Sequence, residues 1–146
     1  MKGAFEHRFP PELAQVRILR KALRDQLVKW KIDLGVVDRA LLVVDELVSN
    51  AIEHGGIHRV AHEPLVLRAA LSGTFLALDF EDPEVPPAIV HELQKSLAGD
   101  RTALPALDSE RGRGLFLIAT WLEKIAVSVI RGGGMRLEGR IPGARA

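Results

Sequence analysis

Apolar residues recur every three or four positions in two stretches of the first half of the chain. The first stretch follows Pro10 and Pro11 and reaches about Trp30, with apolar residues at positions 13, 16, 19, 23 and 27. This spacing predicts an amphipathic helix, and proline is favourable in the first turn because its missing N–H would have no partner there. A second helix is predicted over residues 36–54, apolar at positions 37, 41, 44, 48, 51 and 52, with Gly55 and Gly56 ending it.

After residue 63 the hydrophobic period changes from that of a helix to that of a strand. Residues 65–71 and 75–82 flank the short turn Ser72-Gly73-Thr74, and together they predict a hairpin. Residues 125–131 and 135–141 flank the three consecutive glycines at 132–134 and predict a second hairpin. Residues 4–9 are a further candidate, for a strand at the edge of the sheet.

Most of the segment between the two hairpins shows neither the helical nor the strand spacing of apolar residues. Residues 83–113 are rich in Pro, Asp and Gly, with one short helix around residues 89–97, and a further helix is predicted over residues 114–123. A connection this long inside a domain is usually functional, such as a lid, or disordered. The predicted fold class is therefore α+β, in which antiparallel ribbons form a sheet and the helices lie on one of its faces.

Composition narrows the classes of protein that fit this pattern. A length of 146 residues suits one domain, and 47% hydrophobic with 27% charged residues is typical of a folded globular protein. The absence of cysteine excludes disulfides and thiolate metal sites. No signal peptide is visible, and no stretch reaches the roughly 20 apolar residues of a membrane span. The net charge of only +1, without a long basic run, gives little support for binding to nucleic acid. From these features together we expect one cytoplasmic domain over residues 1–146, with neither nucleic acid nor membrane as a partner.

Two polar residues of the second predicted helix are candidates for chemistry. Glu46 and Asn50 lie four residues apart and so share one face of the helix. An amide oxygen is a ligand for hard cations such as Mg²⁺, and a carboxylate can orient or deprotonate a nucleophile, so the pair suits phosphoryl transfer. The alternative is a solvated polar stripe on an amphipathic helix, and the spacing alone does not decide between the two.

Two further candidates lie where predicted elements end. Asp82 closes the second strand of the first hairpin, where a carboxylate can accept a hydrogen bond from an exocyclic amine or can simply cap the turn before Pro83. His54 ends the second helix, where a histidine can contact a phosphate group or only complement the helix dipole. Neither residue by itself identifies a ligand.

A glycine-rich segment closes the long connection and is the last candidate. It consists of Arg111, Gly112, Arg113, Gly114 and Leu115. Glycines let the backbone approach phosphate closely, and the N–H groups at the start of the following helix attract anions. A flexible hinge before a helix explains the same residues. Neither a Rossmann fingerprint nor a Walker A loop fits, because the third glycine of the first and the Gly-Lys-Ser/Thr run of the second are missing.

Taken together and in this order, these motifs resemble the GHKL ATPase superfamily, and most of all its small anti-sigma-factor serine/threonine kinases. The helix motif of that family, Glu-Leu-x-x-Asn-Ala-x-x-His-Gly, is matched by Glu46, Leu47, Asn50, Ala51, His54 and Gly55. Its lid motif, Gly-x-Gly-Leu, is matched by Gly112, Gly114 and Leu115. The resemblance spans nearly the whole chain.

The resemblance implies a fold and a role for each candidate residue. Glu46 would be the general base or polarising carboxylate, Asn50 the ligand of Mg²⁺, and Asp82 the acceptor for the adenine amine of ATP. Residues 111–115 would cover the phosphates, with His54 as a further contact. The implied fold is the Bergerat two-layer α/β sandwich, a mixed and mainly antiparallel sheet with helices on one face.

The resemblance also implies an activity and partners. The chain would phosphorylate a serine or threonine of an anti-sigma-factor antagonist in a partner-switching pathway, could bind a sigma factor, and could form a homodimer. Two positions depart from the family pattern, because Glu84 stands where the superfamily has glycine and Glu53 where many histidine kinases have lysine. They motivate an alternative, a non-catalytic nucleotide-binding module that regulates by protein contact. A third hypothesis, the sensor half of a split histidine kinase, is less favoured because the sequence shows no phospho-accepting histidine helix.

Overall fold

Two helices form where the hydrophobic spacing places them. In the computed structural model, which describes residues 3–98, 118 and 120–145, helix α1 spans Ala14–Lys29 and helix α2 spans Leu34–Gly55. Helix α2 begins before the predicted residue 36 because the Asp33 carboxylate accepts a hydrogen bond from the N–H of Gly35 and caps the first turn. Within the described residues, no helix is both long enough and apolar enough to span a membrane.

Five strands in the described part of the chain form one antiparallel sheet. They are β1 (Ala4–Phe9), β2 (Leu65–Ser72), β3 (Phe75–Asp82), β4 (Glu123–Val129) and β5 (Met135–Ile141), and they lie in the order β1-β2-β3-β5-β4. Every neighbouring pair is antiparallel, and β3 lies at the centre between β2 and β5. The sheet confirms both predicted hairpins and the edge strand at residues 4–9, and it joins the two hairpins side by side.

The helices cover one face of this sheet. Side chains in a strand alternate between the two faces, so every second residue of each strand is turned toward the helices. The shared core includes Leu65, Leu67, Leu76, Leu78, Phe80 and Leu137 of the sheet, Leu19, Leu23 and Leu27 of α1, and Val37, Leu41, Val44 and Val48 of α2. The opposite face carries ion pairs of Arg68 with Glu6 and Glu81, and of Arg136 with Asp79. This two-layer arrangement confirms the predicted α+β fold.

A third helix occupies part of the predicted lid. Helix α3 spans Pro87–Ala98 and extends the short helix expected around residues 89–97. It begins at Pro87, whose fixed φ favours the first helical position. It covers the edge strand β4, where the side-chain amide of Gln94 donates a 2.7 Å hydrogen bond to the carbonyl oxygen of Val127. This part of the connection is therefore a helix packed against the sheet.

The helix predicted over residues 114–123 ends earlier than expected. Residues 118, 120 and 121 are helical, but Glu123 already begins β4, so the predicted end is wrong. The pairing of β4 with β5 shifts register between Glu123 and Ala126, and Lys124 has a φ of 53°. A bulge of this kind interrupts the two-residue alternation by which a strand is recognised in a sequence.

Candidate functional site

A cavity opens between the second half of α2, the end of β3 and α3. It encloses about 710 Å³, a volume that includes the solvent in its mouth. Its walls are mainly apolar, and the polar side chains of the described residues that line it are Asn50 of α2, His58 of the 3-10 turn Gly56–His58, Asp82 at the end of β3, and Glu84 just after it. A mainly apolar cleft with a few converging polar groups is the usual form of a small-molecule site.

Helix α2 brings only one member of the predicted pair to this cavity. Asn50 lines it, whereas Glu46, one turn earlier, is not among the described residues that do. Both side chains are partly exposed, and within the described part of the chain neither forms a hydrogen bond or ion pair. The amide of Asn50 is therefore uncommitted at the cavity wall, while the role of Glu46 stays a prediction.

Asn50 fits a metal ion only as one ligand among several. The described residues contain no group of three or more His, Cys, Asp or Glu side chains that could hold a metal ion. A hard cation at Asn50 would therefore take its remaining ligands from water and from phosphate oxygens, which is how Mg²⁺ commonly binds in nucleotide sites. The donor set is compatible with Mg²⁺ that arrives with a nucleotide.

Asp82 lies buried at the end of β3 and is paired with Arg59. Nη1 of the arginine donates to Oδ1 at 2.9 Å and Nη2 to Oδ2 at 2.7 Å, so the guanidinium binds both carboxylate oxygens. Nη2 also donates to the carbonyl oxygen of Ala51 at 2.8 Å. The side chains of Arg59 and Asp82 are only 3% and 1% exposed. A buried carboxylate persists here because a charged partner and hydrogen bonds replace its water.

Glu84 holds the loop that follows α2. Its Oε1 accepts hydrogen bonds from the backbone N–H groups of Val60 and Ala61, both at 2.8 Å, and its Oε2 accepts one from Glu63 at 3.1 Å. Burial of this carboxyl opposes its ionisation, but these hydrogen bonds and the nearby Arg59 outweigh that effect and lower the pKa of Glu84. Glu84, which stands where the wider superfamily has glycine, therefore has a structural role.

The remaining predicted site residues were assigned from the sequence alone. Arg111, Gly112, Arg113, Gly114 and Leu115 lie outside the described residues. The side chain of His54 also lies outside them, although its backbone belongs to the last turn of α2. Their roles at the phosphates stay predictions.

Two residues of the site were not predicted from the sequence. His58 lines the cavity and Arg59 binds Asp82, yet neither belongs to a recognisable motif. The one sign in the sequence is a basic pair that follows the glycines ending α2 after one intervening residue, Ile57. Because Arg59 and Asp82 are 23 residues apart, only the tertiary fold reveals that they pair.

Comparison with known proteins places this fold among nucleotide-binding domains. Residues 9–138 match the family model of the histidine kinase-like ATPase domain. No curated protein matches the chain. Among solved structures, the fold is similar to the crystal structure of the SiaB-SiaC complex from Pseudomonas aeruginosa, with a TM-score of 0.75 and 17% identity over 94% of this chain and 88% of the other.

A second solved structure supports the same fold. The RsbU and RsbW domains of a protein from Mycobacterium tuberculosis align with a TM-score of 0.63 and 17% identity. The alignment covers 99% of this chain but 34% of the other, so the chain corresponds to about a third of that protein. At these identities the likeness concerns the arrangement of helices and strands, which agrees with the two-layer sandwich described above.

Proposed function

This chain belongs to the family of histidine kinase-like ATPase domains, and we propose on that basis that its cavity binds ATP together with Mg²⁺. We further propose that it transfers the terminal phosphate to a serine or threonine of an anti-sigma-factor antagonist. One observation carries the proposal: the amide of Asn50, which has no hydrogen-bond partner among the described residues, and the buried carboxylate of Asp82 line the same mainly apolar cavity. The amide suits a cation that accompanies phosphates, and the carboxylate suits the amine of a base.

The end of the cavity at Asp82 suits adenine. A carboxylate accepts hydrogen bonds, and the 6-amino group of adenine donates them. Phe80, Ile89 and Met135 line the same cavity and offer apolar surface to a planar ring. A base with a carbonyl oxygen at this position would present an acceptor to the carboxylate and lose about 1 to 3 kcal/mol. We therefore expect ATP to be preferred over inosine triphosphate.

The phosphates would lie toward Asn50. Bound Mg²⁺ supplies charge neutralisation on the phosphate oxygens, which is the main requirement of phosphoryl transfer. Glu46, one turn earlier on the same helix, would orient the hydroxyl group of the incoming serine or threonine. Residues 111–115 would cover the phosphates, since glycine allows close backbone approach and a helix start attracts anions.

The proposed substrate is a protein, and structural likeness supports this choice. One similar structure is a complex of two proteins, SiaB and SiaC, and another contains an RsbW domain beside an RsbU domain. We propose that the partner here is an anti-sigma-factor antagonist of a cytoplasmic partner-switching pathway. Binding to a sigma factor and homodimerisation are further parts of the proposal that follow from the family resemblance.

A non-catalytic regulatory module is the second candidate function. It is favoured by the position of Glu46, which is not among the described residues that line the cavity. It is also favoured by Glu53, an exposed acid where many histidine-kinase relatives have lysine. Such a chain would bind nucleotide to order the domain and would regulate by protein contact alone.

Two measurements test these functions in turn. Calorimetric titration with Mg-ATP should release heat and raise the Tm, because a ligand selective for the folded state stabilises it. Absence of both effects would refute the kinase assignment. Incubation with γ-labelled ATP and candidate antagonist proteins from the same genome then separates the candidates. Label on a partner's serine or threonine supports the kinase, and nucleotide binding without transfer supports the regulatory module.

A further inference from the structure

Arg59 reaches Asp82 from outside the cavity. It follows the 3-10 turn Gly56–His58, and its side chain is 3% exposed. Asp82 lines the cavity, whereas Arg59 is not among the described residues that line it. The guanidinium therefore lies behind the carboxylate, where it can hold Asp82 without contacting a bound ligand.

The contacts of Asp82 leave room for one more hydrogen-bond donor. A carboxylate has about four lone-pair sites, shared equally by its two oxygens. Oδ1 accepts from Arg59 Nη1 at 2.9 Å and from the N–H of Glu84 at 3.1 Å, while Oδ2 accepts from Arg59 Nη2 at 2.7 Å. Among the described residues no other group donates to Oδ2, so the remaining site lies on that oxygen.

The surroundings fix the orientation of the guanidinium. Nη2 also donates to the carbonyl oxygen of Ala51 at 2.8 Å, and Oε2 of Glu84 lies 3.8 Å from Nη1. Gly55 leaves space for this group, because a Cβ at that position would lie 3.1 Å from Nη2. The end of α2 and the end of β3 therefore hold Arg59 from two sides, and through it they set the direction of the Asp82 carboxylate.

We infer that Arg59 is a positioning residue that sets the base specificity of the cavity, an inference that rests on the proposed binding of ATP. Arg59 fills one lone-pair site on each oxygen and the N–H of Glu84 fills a third, so Asp82 keeps a single acceptor site of fixed direction. A 6-amino purine supplies the one donor that this acceptor needs. A 6-oxo purine supplies another acceptor and is rejected. Without Arg59 the carboxylate is free to turn, and the two kinds of base are no longer distinguished.

The test measures Kd for Mg-ATP and for Mg-inosine triphosphate by calorimetry on the full chain. For the wild type we expect ATP to bind at least about tenfold more tightly than inosine triphosphate, because inosine triphosphate leaves the buried acceptor of Asp82 without a hydrogen-bond donor. Arg59→Gln should bring the ratio of the two Kd values close to unity, mainly by weakening ATP. Arg59→Lys keeps the positive charge but lacks the planar, two-pronged donor, so it should reduce the ratio as well.

The matched control is Arg136→Gln. Arg136 also binds an aspartate of β3 in a two-pronged manner, but its partner Asp79 lies on the opposite face of the sheet. This variant should keep the wild-type ratio. The Tm of each variant separates loss of fold from loss of specificity. If Arg59→Gln does not fold, the Kd ratio of Arg59→Lys tests the positioning role.

Each contrary outcome has a distinct meaning. An unchanged ratio in a folded Arg59 variant overturns the positioning role. Tighter ATP binding by Arg59→Gln overturns it as well, because the arginine would then compete with the base for Asp82. If the wild-type chain binds neither nucleotide, the proposed function is contradicted and the inference falls with it.

Discussion

The carboxylate of Glu84 accepts a 2.8 Å hydrogen bond from the backbone N–H of Val60, and this contact ties the loop after α2 to the end of β3. The neighbouring N–H groups of Ala61 and Glu63 bind the same carboxylate. Because Arg59 directly precedes this loop, Glu84 also restrains the residue that pairs with Asp82. A glycine, which the superfamily has at this position, could make none of these contacts.

Removal of the Glu84 carboxylate should destabilise the fold. In Glu84→Ala three backbone N–H groups lose their acceptor, and we expect the free energy of unfolding to fall by about 1 to 3 kcal/mol. Chemical denaturation measures this change. Glu92→Ala, which removes an exposed acid of α3, is the control and should stay within about 0.5 kcal/mol of the wild type. Equal losses in both variants would contradict the role given to Glu84.

Glu84 should also give the stability a pH dependence of defined sign. Despite the opposing effect of burial, hydrogen bonds from Ala61, Val60 and Glu63 and the charge of Arg59 lower its pKa below the usual 4.5 in the folded chain. The stabilisation is therefore complete above pH 4.5 and is lost as the pH falls through the lower, folded-state pKa. The unfolding free energies of the wild type and Glu84→Gln should converge as the pH falls below 4.5. A difference that stays constant would show that another group is responsible.

Gly134 lies against the backbone that follows Asp82. It has a φ of +100°, and a Cβ there would lie 2.5 Å from the Cα of Pro83. Gly133 has a similar φ of +111° but nothing within 4 Å of its Cβ position, so it is a matched control. Gly134→Ala should therefore lower the free energy of unfolding by about 1 to 3 kcal/mol more than Gly133→Ala. Thermal denaturation compares the two, and equal losses would mean that the close approach to Pro83 relaxes freely.

The hydrophobic period was sufficient to predict the elements that carry Asn50 and Asp82. The apolar positions of α2 fix which face of the helix is buried, and the strict alternation of β3 brings Asp82 to the same side as Phe80. On a helix or a strand, the direction in which a side chain points follows from which of the neighbouring residues are buried. For that reason the structure brings Asn50 and Asp82 to one cavity.

The hydrogen bonds of Asp82 could not be predicted from the hydrophobic period. Arg59 lies in a loop, and loop geometry depends on tertiary contacts such as those of Glu84 and not on a repeating pattern. From the sequence, Asp82 could be only a lone acceptor or a turn cap, and Glu84 only a departure from glycine. The start of β4 was not predicted for a related reason: the bulge near Lys124 interrupts the alternation of apolar and polar residues that identifies a strand.

Asn50 should govern the effect of Mg²⁺ on ATP binding. The wild type should bind ATP more tightly with Mg²⁺ than with a chelator, because the amide oxygen supplies one ligand to the ion. Asn50→Ala should lose most of this difference, roughly tenfold in Kd, measured by calorimetry under both conditions. Ser49→Ala alters the adjacent residue of α2, which is not among the described residues that line the cavity, and should keep the difference. If Asn50→Ala responds to Mg²⁺ like the wild type, the ion binds elsewhere.

The proposed role of Glu46 predicts that binding and transfer can be separated. Glu46→Gln preserves the size of the side chain but removes its negative charge, so Kd for Mg-ATP should stay near the wild-type value. Transfer of label to the partner's hydroxyl group should fall by about a hundredfold or more, the usual effect of losing a group that orients or deprotonates a nucleophile. Glu53→Gln removes an exposed acid of the same helix and should leave transfer intact. Normal transfer by Glu46→Gln would remove Glu46 from the reaction, and lost ATP affinity would make it a binding residue instead.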